Sequence, residues 1–110
     1  MTVRHAKLDN MKGGWFVGSF SPTVHDTTAA EVAVKHYCAG DYEAAHYHRV
    51  ATEVTVVVRG KVEMAGNSWQ TGDIIVLEPG EATDFRALSD TITVVVKLPG
   101  VKNDKYVLET

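Results

Sequence analysis

Two imidazoles and a carboxylate fall close together at His46, His48 and Glu53, in the stretch HYHRVATE. On a β-strand, side chains at i and i+2 leave the same face about 7 Å apart, so the two histidines can converge on one point. Imidazole nitrogen and carboxylate oxygen are both ligands for Fe(II), Mn(II), Ni(II) or Zn(II). A two-histidine, one-carboxylate set also leaves coordination positions open for a substrate. Glu53 has the wrong parity for a regular strand carrying both histidines. The intervening RVAT must therefore bend or bulge to bring the carboxylate inward. Without a metal, the same histidines can act as acid and base near neutral pH.

Such residues need a frame, and the sequence reads as strands. In EVAVKHYCAG the side chains of Val32, Val34, His36 and Cys38 share one face, and Ala33, Lys35 and Tyr37 the other. TEVTVVVRG, KVEMAGNSWQ, TGDIIVLEPG and TITVVVKLPG follow, rich in β-branched residues and closed by Gly or Pro turns. No stretch carries a 3.6-residue period. Short strands spaced by turns predict an all-β fold, an antiparallel sandwich or barrel. In two strands one face mixes Thr, Val and charge: Glu53, Thr55, Val57 and Arg59, then Thr91, Thr93, Val95 and Lys97. These read as pocket lining, in which Thr55, Arg59, Lys97 and Glu78 are candidate ligand contacts. The opposite faces, Val54–Val56–Val58 and Ile92–Val94–Val96–Leu98, are aliphatic and predict packing between sheets or in a homodimer. His36 and Cys38 supplement the site if their face lines the barrel. Trp15 and Phe16 are expected to cap the core, Trp69 to pack, and His5 and His25 to lie at the surface.

The size of the chain, 110 residues, suits one domain with one modest core. We expect residues 1–29 to form an N-terminal segment and leading strand packed on a barrel of residues 30–110. Net charge is −3 with no basic block, which gives no electrostatic support to a nucleic-acid partner. The apolar runs are too short to span a bilayer as helices, the start lacks a signal-peptide core, and Cys38 is the lone cysteine. These features predict a cytoplasmic protein binding a small molecule, with neither nucleic acid nor membrane as partner.

The spacing Gly40-x5-His46-x-His48-x4-Glu53-x6-Gly60 resembles the first motif of the cupin superfamily. GDIIVLEPGEATDF resembles the second, with Gly72 and Gly80 in place, so the resemblance covers roughly residues 30–98. It implies a single-domain jelly-roll β-barrel holding one divalent metal through His46, His48, Glu53 and a histidine of motif two. That histidine is Thr83 here, the motif's proline is Glu78 followed by Pro79, and no histidine follows His48. Three readings stay open. The metal has three protein ligands, or Asp84 substitutes through a bulge, or no metal binds and the histidines serve as in the metal-free sugar-nucleotide epimerases and ketoisomerases of the superfamily. The first implies a sugar or a keto or hydroxy acid as ligand and isomerase or epimerase chemistry. An Fe(II) dioxygenase and a non-catalytic ligand-binding module are the alternatives.

Overall fold

The computed structural model describes residues 2–108. Ten strands dominate it: β1 (Trp15–Val17), β2 (Glu31–Tyr37), β3 (Tyr42–Tyr47), β4 (Thr52–Arg59), β5 (Lys61–Met64), β6 (Asn67–Gln70), β7 (Ile74–Leu77), β8 (Thr83–Ala87), β9 (Thr91–Leu98) and β10 (Tyr106–Val107). A single 3-10 turn, Leu8–Asn10, precedes them. Every named pairing is antiparallel, and two five-stranded sheets result. Sheet 1 has the order β1-β2-β9-β4-β7 and sheet 2 the order β10-β3-β8-β5-β6.

The alternating strands divide each sheet into an inner and an outer face. In β4 and β9 the residues Glu53, Thr55, Val57, Thr91, Thr93 and Val95 are buried while their even-numbered neighbours are not. One end of the space between the sheets is filled by aliphatic packing around Val57, Val62, Met64, Ile75, Leu77, Phe85 and Ala87, with Tyr37 and Trp69 against it. Trp69 donates its indole N–H to the Met64 carbonyl at 2.7 Å, which fits it for packing. Chain reversals between the sheets demand close approach. At Gly60, φ is +110° and an added Cβ would stand 2.6 Å from the Asp90 carbonyl oxygen, so the β4–β5 corner requires glycine.

The other end is hollow. A cavity of about 620 Å³ opens between the sheets, within the size range of small-molecule sites. Its walls come from odd-numbered residues of β2, β4 and β9 on one side and from β3 and β8 on the other.

Candidate metal centre

His46, His48 and Glu53 meet at this hollow end, and one donor atom from each lies within 4.8 Å of the others. The two rings stand edge to face with centroids 5.4 Å apart. Two local irregularities produce this. A bulge at Ala44–Ala45 in β3 lets both Glu43 and His46 face inward, paired with Phe85 and Thr83 of β8. The chain then bends at Arg49 and Val50 and crosses from sheet 2 to sheet 1. The carboxylate thus reaches the rings from the facing sheet. Parity along one strand does not apply across such a corner, so the bend acts by changing sheets and not by resetting the phase of a continuous strand.

A distant residue fixes the corner. Asp104, itself buried, accepts backbone N–H groups of Arg49, Val50 and Ala51 at 3.0–3.2 Å. Burial works to raise its pKa, but the three N–H donors outweigh that and hold it below the usual carboxylate value. Nothing in the local sequence marks Asp104, because its partners lie over fifty positions away.

The donor set fits a divalent cation. His46 Nδ1 lies 3.1 Å from the Ala44 carbonyl oxygen, which can only accept, so this nitrogen is the donor and, in the neutral ring, Nε2 is the one left with a free lone pair. The His48 Nε2 is sealed from solvent and has no hydrogen-bond partner. A buried nitrogen without a partner is costly, and a metal would satisfy it. Burial first, then the nearby Lys97 and His46, push the His48 pKa down to about 4. The ring is therefore neutral at physiological pH, as a ligand must be. Glu53 is 8% exposed, and its pKa is raised by burial against the opposing influence of Lys97 and His46. Donors adjacent on an ion with bonds near 2.1 Å stand roughly 3 Å apart.

The remaining candidates separate clearly. Thr83 sits beside His46 in register, but its hydroxyl accepts the Ala65 N–H and donates to the Asp84 carbonyl, both at 2.7 Å. Its hydroxyl is thus already engaged. Asp84 projects to the outer face of β8, where the Tyr42 hydroxyl donates to it at 3.2 Å; it borders the cavity rim and does not join the three donors. Thr55 and Lys97 line the cavity. His36 and Cys38 do not. The β2 face that points inward is the one carrying Glu31, Ala33, Lys35 and Tyr37, leaving His36 and Cys38 exposed. Period two alone cannot say which face turns in. Arg59 and Glu78 are exposed and outside the lining, and His5 and His25 are exposed.

Sequence reasoning missed Trp15, Glu31, Lys35, Tyr37 and Glu43 as lining residues. Trp15 does not cap the aliphatic core; it stands at the cavity with the Lys97 ammonium 4.8 Å and the Lys35 ammonium 5.8 Å from its ring centroid. The Tyr37 hydroxyl donates to Glu43 at 3.3 Å, and burial, then Glu43, raises its pKa. A Cys38→Ser substitution, or alkylation of Cys38 in the folded protein, is expected to leave metal content and ligand affinity within about twofold of the parent. Loss of either would place Cys38 at the site after all.

No protein-family model matches the chain, and no curated protein does. Solved structures do. An uncharacterized conserved protein with a double-stranded beta-helix domain from Klebsiella pneumoniae is 23% identical, matching 99% of this chain and 100% of its own with a TM-score of 0.70. A cupin-2 domain containing protein from Shewanella frigidimarina is 16% identical over 64% of this chain and 71% of its own, TM-score 0.58. The bacterial pirin YhhW from Escherichia coli, solved in complex with nickel(II), is 18% identical over 79% of this chain and 39% of its own, TM-score 0.67.

Proposed function

We propose that this chain, whose fold is the double-stranded β-helix of the cupins, binds one divalent metal ion through His46, His48 and Glu53 and takes a small keto or hydroxy acid beside it. The observation that carries the metal is the convergence of three donors from two sheets around a buried, partnerless imidazole nitrogen. Bound there, a divalent ion supplies Lewis acidity to a chelated carbonyl or hydroxyl oxygen, which suits isomerisation or epimerisation.

Lys97 argues for an acid as the ligand. It is the cross-strand partner of Glu53, and its side chain is 17% exposed. Among the described residues its one ion pair is to Glu31, at a long 4.0 Å. An ammonium so enclosed and so loosely paired is placed to receive the carboxylate of a molecule whose other oxygens face the three ligands. Trp15 supplies a flat apolar wall on that side, and Tyr37 with Glu43 offers a hydroxyl and a carboxylate for orientation. Thr93 lines the same space with a buried, unpartnered hydroxyl. The metal-free acid–base reading is the weaker one, because the His48 nitrogen is sealed and its basicity is depressed by burial.

The test begins with elemental analysis of protein purified without added metal. About one divalent ion per chain is expected, and none in His46→Ala. A parent that neither retains metal nor binds Mn(II), Ni(II) or Zn(II) on titration overturns the proposal. The ligand is tested by thermal shift of metal-loaded protein with pyruvate, malate and gluconate. Lys97→Met should keep its metal and lose at least about tenfold in affinity for whichever acid stabilises the parent, a difference of ~1.4 kcal/mol. Equal affinity in parent and variant removes Lys97 from the reading while leaving the metal site intact.

A further inference from the structure

Seven lysines occur in the chain, and five of them, Lys12, Lys35, Lys97, Lys102 and Lys105, line the cavity that holds the three donors. The carboxylates on its walls are already engaged. Glu53 belongs to the donor set, Glu43 accepts the Tyr37 hydroxyl, Asp84 accepts the Tyr42 hydroxyl, and Asp104 takes backbone N–H groups. Glu31 is left, 4.0 Å from Lys97. Among the described residues, no carboxylate stands within ion-pair distance of the other four ammoniums. Lys35 and Lys97 are half-buried, and both approach one ring. Trp15 is directly paired with Ala33 of β2, whose fully buried methyl leaves the space above it to the indole. Ala33 pairs in turn with Val95 of β9, and Lys35 and Lys97 lie on opposite sides of that row. Their ammoniums are 5.8 and 4.8 Å from the ring centroid. The π system attracts each cation, but the two repel one another, and an anion beside them relieves that repulsion. At Gly13, the Lys35 ammonium and the indole nitrogen both come within 4.0 Å of the place a Cβ would occupy. Both groups can only donate.

We propose that Lys35 and the Trp15 indole form a second anion subsite, and that the ligand of this cavity carries two anionic groups. One carboxylate meets Lys97 beside the donors; the other group, a phosphate ester or a second carboxylate, meets Lys35. The inference rests on the proposed acid site for the Lys97 end alone. The subsite itself is supplied by the segment at Lys12–Trp15 and by the inward face of β2, away from the three donors. The two ammoniums are at most the sum of 4.8 and 5.8 Å apart. A molecule of about four to six carbons spans that gap once a charge-assisted hydrogen bond of about 2.8 Å is allowed at each end. Its middle crosses the face of Trp15. Lys12, Lys102 and Lys105 are exposed at the rim, where their field draws a doubly charged acid more strongly than a singly charged one and is screened by salt.

Probes that differ by one anionic group test this: malate against lactate, and 3-phosphoglycerate against glycerate, each titrated calorimetrically into metal-loaded protein at low salt. In at least one pair the doubly charged acid is expected to bind about tenfold tighter or more, and the pair that responds names the group. Equal affinity within both pairs overturns the inference. Lys35→Met should bring the responding pair to within about twofold while leaving its singly charged member bound as before, and Lys35→Arg should keep most of the preference. Lys61→Met, exposed on sheet 2 and outside the lining, should change nothing. A preference that survives Lys35→Met, or that Lys61→Met also removes, overturns the inference equally. The subsite is also read without metal or organic acid, by titrating inorganic phosphate into metal-free Trp69→Phe protein, in which Trp15 is the remaining tryptophan. A saturable change in Trp15 emission, absent in Lys35→Met, is expected. Should no acid bind, so that the proposed acid site itself fails, this titration still decides the subsite: no saturable change, or the same change in Lys35→Met, overturns it.

Discussion

His48→Leu is expected to abolish stoichiometric metal and, at the same time, to raise the melting temperature of the metal-free protein. The two effects share one cause. His48 is 5% exposed with its Nε2 unpartnered, so in the metal-free protein it is a polar atom buried at a cost of about 1–3 kcal/mol. Leucine has a similar volume and no such atom. A gain of ~1 kcal/mol corresponds to about 4–8 °C in a domain of this size. On the metal side, removing one of three protein donors should weaken binding by on the order of 10²–10³, given the 10–16 kcal/mol that four-ligand structural zinc sites supply. A residue placed there for packing would give the reverse, no change in metal and a loss of stability. The pH dependence has a definite sign. The folded-state pKa of His48 is about 4, below the ordinary 6.5, so between these values the unfolded chain binds the extra proton. The metal-free parent therefore loses stability as pH falls from 6.5 toward 4, and the variant does not. The advantage of His48→Leu should widen over that window, as urea titrations at pH 7 and 5 would measure.

Asp104→Ala is expected to cost 2–3 kcal/mol of stability and at least about tenfold in metal affinity. Its carboxylate accepts three consecutive backbone N–H groups at the corner between β3 and β4, and charge-assisted bonds of this kind are the strong ones. Removal leaves those donors without an acceptor at a corner where Ala51 is 2% exposed. The corner joins the two histidines to Glu53, so its loosening spreads the three donors, and supporting contacts of this type are commonly worth 10–100-fold in affinity. The sign with pH is opposite to that for His48. The Asp104 pKa is lowered from 3.8, so its contribution is complete above that value and is lost as pH falls through the folded-state pKa. The gap between parent and variant should be constant from pH 5 to 8 and shrink in more acidic solution. Metal affinity unchanged in a folded Asp104→Ala protein would show that the corner holds itself.

Much of the molecule could be read before any coordinates. β-Branched runs with period two, cut by glycine and proline, dictate antiparallel strands because an alternating strand must bury one face against another layer. The same alternation put Glu53, Thr55, Thr93, Val95 and Lys97 together on mixed faces and the valines on aliphatic ones. The grouping of His46, His48 and Glu53 followed from motif spacing, which is local in the chain. Local information has a definite limit, however. Alternation divides a strand into two sets without naming the inner one, and at β2 the tyrosine–lysine face turned inward while His36 and Cys38 turned out.

That choice belongs to the tertiary structure, as does every contact whose partners are far apart in sequence. The bulge at Ala44–Ala45 and the crossing between sheets aim Glu53 at the rings; the reach of Asp104 back to Arg49, Val50 and Ala51 holds that crossing. The meeting of Trp15 with Lys35 and Lys97 likewise needs β1, β2 and β9 side by side. A chain can encode its own periodicity residue by residue, and so its strands and the spacing of its candidate ligands were legible. Which faces meet is settled only when two sheets compete to bury their apolar sides against each other, and that energy is a property of the pair.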